Sequence, residues 1–150
     1  MAGVVKFKKN QIIFREGDES YYMYDILSGT VGVYSGYGTG DEKKLAVLEA
    51  GEYFGEMGMI ENMPRSATVV ALENCELMQV PMELLGDYIE DNPKNLLSII
   101  GHVSSRLRAT TVEYVEACSV LSEYAKLDEQ GEKINPELLQ RMKKVAKSGK

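Results

Sequence analysis

Residues Phe54 to Val69 read FGEMGMIENMPRSATV, and the rest of the sequence is best understood outward from them. Gly55 and Gly58 bracket Glu56, and Arg65, preceded by Pro64, follows nine residues after that glutamate. Glycines at these positions let backbone N–H groups approach a ligand closely. A short helical turn from Met57 to Asn62 would aim its first amides, with their partial positive charge, at an anion. Arg65 supplies a planar fork of donors suited to two phosphate oxygens, and Pro64 fixes how the chain presents it. Glu56 repels an anion, but a carboxylate accepts a hydrogen bond from a sugar hydroxyl. Read this way, the stretch asks for a ligand that joins a phosphate and a ribose compactly. A plain surface ion pair between Glu56 and Arg65, worth at most about 1 kcal/mol, uses the same residues, and residue types alone leave both readings open.

Composition sets the bounds around this stretch. A chain of 150 residues with 44% hydrophobic content buries one sizeable core. With 23 Asp and Glu against 17 Lys and Arg, and the basic residues dispersed, the chain is a poor match for nonspecific nucleic-acid binding, which depends on cations meeting phosphates. No apolar run reaches the roughly eighteen residues that span a bilayer, and MAGVVKFKKN lacks the apolar stretch of a secretory signal, so a cytoplasmic protein without membrane association is expected. Cys75 and Cys118 have no metal-site spacing and are expected to be small buried apolar residues. His102 is the single histidine, which leaves no cluster for a metal and no second base for a catalytic triad. The expectation is a protein that is not an enzyme and holds no metal.

The chain changes character near residue 80. Before it, QIIF, YYMYDIL, VGVY, KKLAVLEA, GEYFG, SATVVAL and ELMQV are short runs separated by glycine-bearing turns, the pattern of an all-β barrel or sandwich built from hairpins. SGYGTGDEKK contains alternating glycines but no phosphate-loop spacing, and it reads as a hairpin turn. After it, PMELLGDYIE predicts a short helix with Pro81 at its start, and Asp91-Asn92-Pro93 ends that helix and begins a long one to about Leu127. Along the long helix Ile100, Leu107, Tyr114 and Leu121 fall on one heptad position, and Leu96, Val103, Thr110, Ala117 and Tyr124 on another. That repeat fits a homodimer seam; a stripe packed on the chain's own barrel fits the same spacing. Beyond the DEQGEK break, Asn135 can cap a last helix with Pro136 at its first position and Leu138, Leu139, Met142, Val145 and Ala146 on one face. That helix would be a docking tail or a surface for a partner.

FGEMGMIENMPRSATV resembles the phosphate-binding cassette of the cyclic-nucleotide-binding domain family in order and loop length. FREGDESYYMYDILSGTVGVY, with its Gly17-Asp18 turn, Tyr24 and Gly29, is similar to the family's first strands. The resemblance implies a mainly β fold with flanking α: a double-stranded β-helix, or jelly-roll-like β-roll, followed by a short helix and a long C-terminal helix. It implies a binding domain over residues 1–127, with 128–150 a linker and a short amphipathic tail. It also implies that Glu56 binds the ribose 2′-hydroxyl and Arg65 the cyclic phosphate, with the backbone around Gly55, Glu56, Met57 and Ser66 completing the cradle.

Within the family the sequence is most similar to the sensory domains of the bacterial catabolite activators. Arg65-Ser66-Ala67, Asp91-Asn92-Pro93 and SSRLRATT carry that likeness, which places Thr110 and Thr111 on hydroxyl residues that meet the adenine amino group. Two threonines bonded to their own helix are the plainer alternative. Those activators continue into a helix-turn-helix, for which the roughly 25 remaining residues offer no helix pair and no basic recognition face, so no direct DNA binding is expected. The implied function is a free-standing regulatory module that binds cAMP, with cGMP as the alternative ligand, and shifts its long helix toward a downstream protein partner. A structural dimer or scaffold that keeps the β-roll without a nucleotide is the competing expectation. Truncation of Arg65 is expected to abolish binding and leave the fold intact.

Overall fold

A computed structural model describes residues 2–148. Met1, Gly149 and Lys150, the outermost residues of the expected domain and tail, lie outside them. The chain divides into two compact units, one up to His102 and one from Val103 onward.

The first unit is built on two four-stranded antiparallel sheets. One has the order β1 (Gly3–Phe7), β8 (Cys75–Pro81), β3 (Tyr22–Ser28), β6 (Tyr53–Phe54); the other has β2 (Ile12–Phe14), β7 (Thr68–Ala71), β4 (Val31–Ser35), β5 (Lys43–Leu48). Apart from the β4–β5 hairpin, strands adjacent in sequence thus alternate between sheets, the jelly-roll-like double-stranded arrangement expected from the sequence. β3 and β8 pair from Tyr22 opposite Pro81 through Ile26 opposite Leu77. Their inward residues feed a core of Tyr24, Ile26, Val31, Leu48, Phe54, Val69, Ala71, Cys75 and Leu77. Ile26 and Leu77 are fully buried, each worth about 2 to 3 kcal/mol of transfer free energy. The rings of Tyr24 and Phe54 stack at 5.1 Å and 15°, with Phe14 tilted against both. The glycine-rich segment after Ser35 is a hairpin turn between β4 and β5, as expected, held by Thr39 Oγ1 donating to the Gly36 carbonyl at 2.6 Å.

β1 was not anticipated. Its five residues pair with β8 from Gly3 opposite Gln79 to Phe7 opposite Cys75, and its edge place and flanking lysines mask the strand pattern. The helical part of this unit follows the sequence closely. A single 3₁₀ turn (Met82–Leu84) leads into α2 (Leu85–Asp91), and the long helix α3 (Lys94–Gln130) begins beyond Pro93. Asn92 caps α3: its side-chain Oδ1 accepts from the Lys94 amide at 3.3 Å and its carbonyl from the Asn95 amide at 2.9 Å.

The second unit is a helical hairpin of α3 and α4 (Pro136–Ser148). Gly131, at φ 67°, closes α3, and the Glu132 amide reaches back to the Leu127 carbonyl at 2.9 Å. Asn135 Oδ1 then accepts from the Leu138 amide at 2.7 Å, the predicted cap of the last helix. Arg141 fastens α4 to one face of α3, with Nε donating to Glu116 at 3.0 Å, Nη1 to Glu123 at 2.6 Å and Nη2 to Ser119 Oγ at 3.0 Å. Leu138 and Val120 are its buried apolar residues. The last helix therefore docks within its own chain. Leu107, Tyr114 and Leu121 lie off that face and stay exposed. Cys75 is buried as expected, whereas Cys118 is exposed, because its helical position falls away from the α4 contact. Among the described residues no helix is long and apolar enough to cross a membrane.

Candidate ligand-binding site

The candidate site is assembled by the connection from β6 to β7. Strand β6 ends at Phe54, Gly55 turns the chain with φ 79°, and α1 (Glu56–Glu61) follows, one residue earlier than the turn predicted from Met57. Asn62, also left-handed, ends α1, and the Met63 amide donates to the Gly58 carbonyl at 2.9 Å. Pro64-Arg65-Ser66 then returns the chain to β7. The loop before β3 holds this return in place. The Arg65 amide donates to the Asp18 carbonyl at 2.8 Å, and the Gly17 amide donates to the Arg65 carbonyl at 2.9 Å.

These bonds bring Glu56 and Arg65 to the same place and bury both, at 2% and 5% exposure. A plain surface ion pair is therefore not what the two residues form. The guanidinium of Arg65 is fixed on three sides. Nη1 donates to the Gly55 carbonyl at 2.7 Å, Nη2 donates to the Tyr22 carbonyl at 2.6 Å, and Cζ stands 4.1 Å over the Phe14 ring. Its Nε is buried without a hydrogen-bond acceptor among the described residues. Burial pushes the Arg65 pKa down, opposed by the charges of Tyr24, Asp18 and Glu56. A buried cation with one unpaired donor is the feature of this site that an anionic oxygen fits.

The glycines have a more local task than the sequence suggested. A Cβ on Gly55 would lie 2.6 Å from Arg65 Nη1 and 3.2 Å from the Tyr22 carbonyl, and one on Gly58 would meet Ser20 Oγ and come within 2.9 Å of the Met63 carbonyl. They make room for protein atoms that position the cassette. Met57 and Ser66 are exposed at the two ends of the same connection. The expectation that Arg65 could be truncated without effect on the fold needs correction, since the side chain bonds two backbone carbonyls inside the unit. Phe14, Ser20 and Tyr22 were missed from sequence. Ser20 Oγ is buried without a hydrogen-bond partner among the described residues, and its only sequence signal is a small residue in a loop.

Thr110 and Thr111 belong to the second unit, where both are exposed on α3. Thr111 Oγ1 donates to the Leu107 carbonyl at 2.8 Å, the local helix bond weighed above. Among the described residues no three His, Cys, Asp or Glu side chains gather as a metal site.

Comparison with known proteins gives the family of the chain. Residues 4–92 match the family model described as the cyclic nucleotide-binding domain, and the chain belongs to that family. The cyclic AMP receptor protein of Thermus thermophilus is 32% identical over 107 residues, covering 71% of this chain and 50% of that protein. The solved catabolite activator protein of Thermus thermophilus superposes with a TM-score of 0.67 at 27% identity, covering 99% of this chain and 73% of that one. The EAL enzyme Bd1971 in its cAMP-bound form gives 0.54 at 32% identity, over 83% of this chain and 33% of that one, and its cGMP-bound form gives 0.54 at 31%. The chain spans about half the length of the curated receptor proteins it matches, and less of other relatives.

Proposed function

We propose that this chain is a regulatory module whose ligand is a cyclic nucleotide, cAMP first, and that it performs no catalysis of its own. The observation that carries the reading is the buried Arg65 guanidinium, with Nε lacking an acceptor, beside buried Glu56. In this reading Arg65 Nε meets the cyclic phosphate, and the backbone of Gly55, Glu56 and Met57, with Ser66, completes the cradle. The Glu56 carboxylate accepts from the ribose 2′-hydroxyl. Thr110 and Thr111 supply the contact to the base, so the functional domain runs through α3 to about Leu127.

Regulation follows if the ligand favours one orientation of α3, by its differential affinity for the two orientations. The exposed heptad stripe would join two copies, and the output would go to a protein partner in the cytoplasm. The preference for cAMP rests on Thr110, Thr111 and the receptor relatives. A relative solved with both cAMP and cGMP makes cGMP the comparison ligand.

A scaffold that binds no nucleotide is favoured by one observation: Nη1 and Nη2 of Arg65 already serve the Gly55 and Tyr22 carbonyls. Calorimetry separates the two readings, with cAMP and cGMP titrated into wild type, Arg65→Lys and Glu56→Gln, and circular dichroism as the check on folding. Lysine keeps the charge and loses the planar fork, so Arg65→Lys is expected to lose about 3 to 5 kcal/mol, beyond a hundredfold in affinity. Glu56→Gln should weaken binding about tenfold or more, as a hydrogen bond to a charged acceptor predicts. Wild-type affinity in Arg65→Lys, or no heat and no rise in melting temperature with either nucleotide, would leave the scaffold reading.

A further inference from the structure

His102 stands where the nucleotide reading has no use for an imidazole. Its Nδ1 lies 3.4 Å from Glu52 Oε1, and both side chains are half-buried. Its ring meets Tyr53 edge-on, with centroids 5.8 Å apart at 79°. Glu52 immediately precedes β6, and β6 runs directly into Gly55 and Glu56. Tyr53 also shares a buried cluster with Met59 of α1 and Ile99 of α3. The one imidazole of the chain therefore ties the opening of α3 to the strand that delivers the cassette.

We propose that His102, when protonated, is a positioning residue for the cassette: its charge fastens the opening of α3 to Glu52, and both cassette order and nucleotide affinity decline when that charge is lost. The contact is an ion pair only while the imidazole carries its second proton. Partial burial protects such a pair from the screening that weakens exposed ones.

The surrounding charges favour this assignment. Glu52 is the carboxylate that His102 meets. Tyr53 presents a neutral ring edge. Behind it, Asp25 of β3 is already engaged by the Tyr88 hydroxyl at 2.7 Å. Burial and that bond push the Tyr88 phenol far up, so it stays neutral throughout. On its own helix, Arg106 is the charged residue one turn on. Arg65 and a phosphodiester keep their charges between pH 6 and pH 8.

The affinity arm of this inference rests on the nucleotide reading; the ordering arm does not. Three variants outside the binding machinery test it: His102→Lys keeps a cation at every pH, His102→Gln never has one, and Glu52→Gln removes the partner. By calorimetry, the wild-type Kd for cAMP should rise about three- to tenfold from pH 6 to pH 8. His102→Gln and Glu52→Gln should be flat at the weak end, and His102→Lys flat at the tight end. Without ligand, amide hydrogen exchange over residues 53–61, at matched pH, should be slower in His102→Lys than in His102→Gln, with wild type resembling the first at pH 6 and the second at pH 8. A wild-type pH profile that persists in both His102→Gln and Glu52→Gln overturns the proposal. So does equal exchange protection in wild type and the two His102 variants. If wild type binds no nucleotide, the nucleotide reading fails and the exchange measurement alone decides the fastening.

Discussion

A guanidinium buried as deeply as that of Arg65 has to place its donors, because an unpaired charge inside a protein costs several kcal/mol. Two of its nitrogens meet carbonyls, and the ring face of Phe14 covers the plane. Gly55 is the neighbour that permits this, which makes it a sensitive test position. Gly55→Ala combines a left-handed backbone with a Cβ 2.6 Å from Nη1 and should lose about 1 to 3 kcal/mol in urea unfolding, together with nucleotide affinity. Gly17→Ala is the control, for it has φ 87° but nothing within 4 Å of the added Cβ. It should show the backbone strain alone, about 1 kcal/mol, with little change in binding. Glu56 and Arg65 were legible in the sequence because charged residues in a glycine-bearing loop stand out by type. Tyr22 and Phe14 were not, since one contributes a carbonyl that any residue carries and the other reaches Arg65 only once the strands are paired.

Among the elements, those with local punctuation were the easiest to read. Asn92-Pro93 and Asn135-Pro136 carry their caps in their own side chains, and both helices begin where those signals lie. β1 has no such signal, because an edge strand next to KFKKN becomes a strand only by pairing with β8, some seventy residues away. The docking of α4 was one of two open readings, and Arg141 decides it by reaching Glu116, Ser119 and Glu123 across the hairpin. Leu138 tests the energetics of that docking. Replacing this fully buried side chain by alanine should lose about 2 to 5 kcal/mol, seen as faster hydrogen exchange in α4 and the facing turns of α3. Exchange that stays at wild-type rates would mean that the clamp at Arg141 suffices alone.

For the whole molecule, the apolar residues left over say most. Leu107, Tyr114 and Leu121 are each about two-thirds exposed (66%, 69% and 67%) at heptad spacing, away from the face that α4 takes. Such a stripe suits a second copy of the chain. Wild type should sediment as a dimer at micromolar concentration, and the double variant Leu107→Lys, Leu121→Lys as a monomer with the melting of the β-roll unchanged. A monomeric wild type would remove the seam from the proposed mechanism. The β-roll was legible at this scale because its turns recur at even spacing. The division at His102 was not, since helical periodicity runs through it uninterrupted.

The bonding of Arg65 also bears on how such a chain changes over generations. Were a descendant to abandon its ligand, selection for folding would still retain the arginine, because two carbonyls and an aromatic face would otherwise lose their partner. Inheritance of the residue therefore records the architecture first. In the proposed reading the trace of the ligand is held by Nε, the guanidinium nitrogen that the architecture leaves over among the described residues. A lineage freed from its nucleotide would be expected to close on that atom first, through a new carbonyl or a nearby carboxylate, long before the arginine itself was replaced.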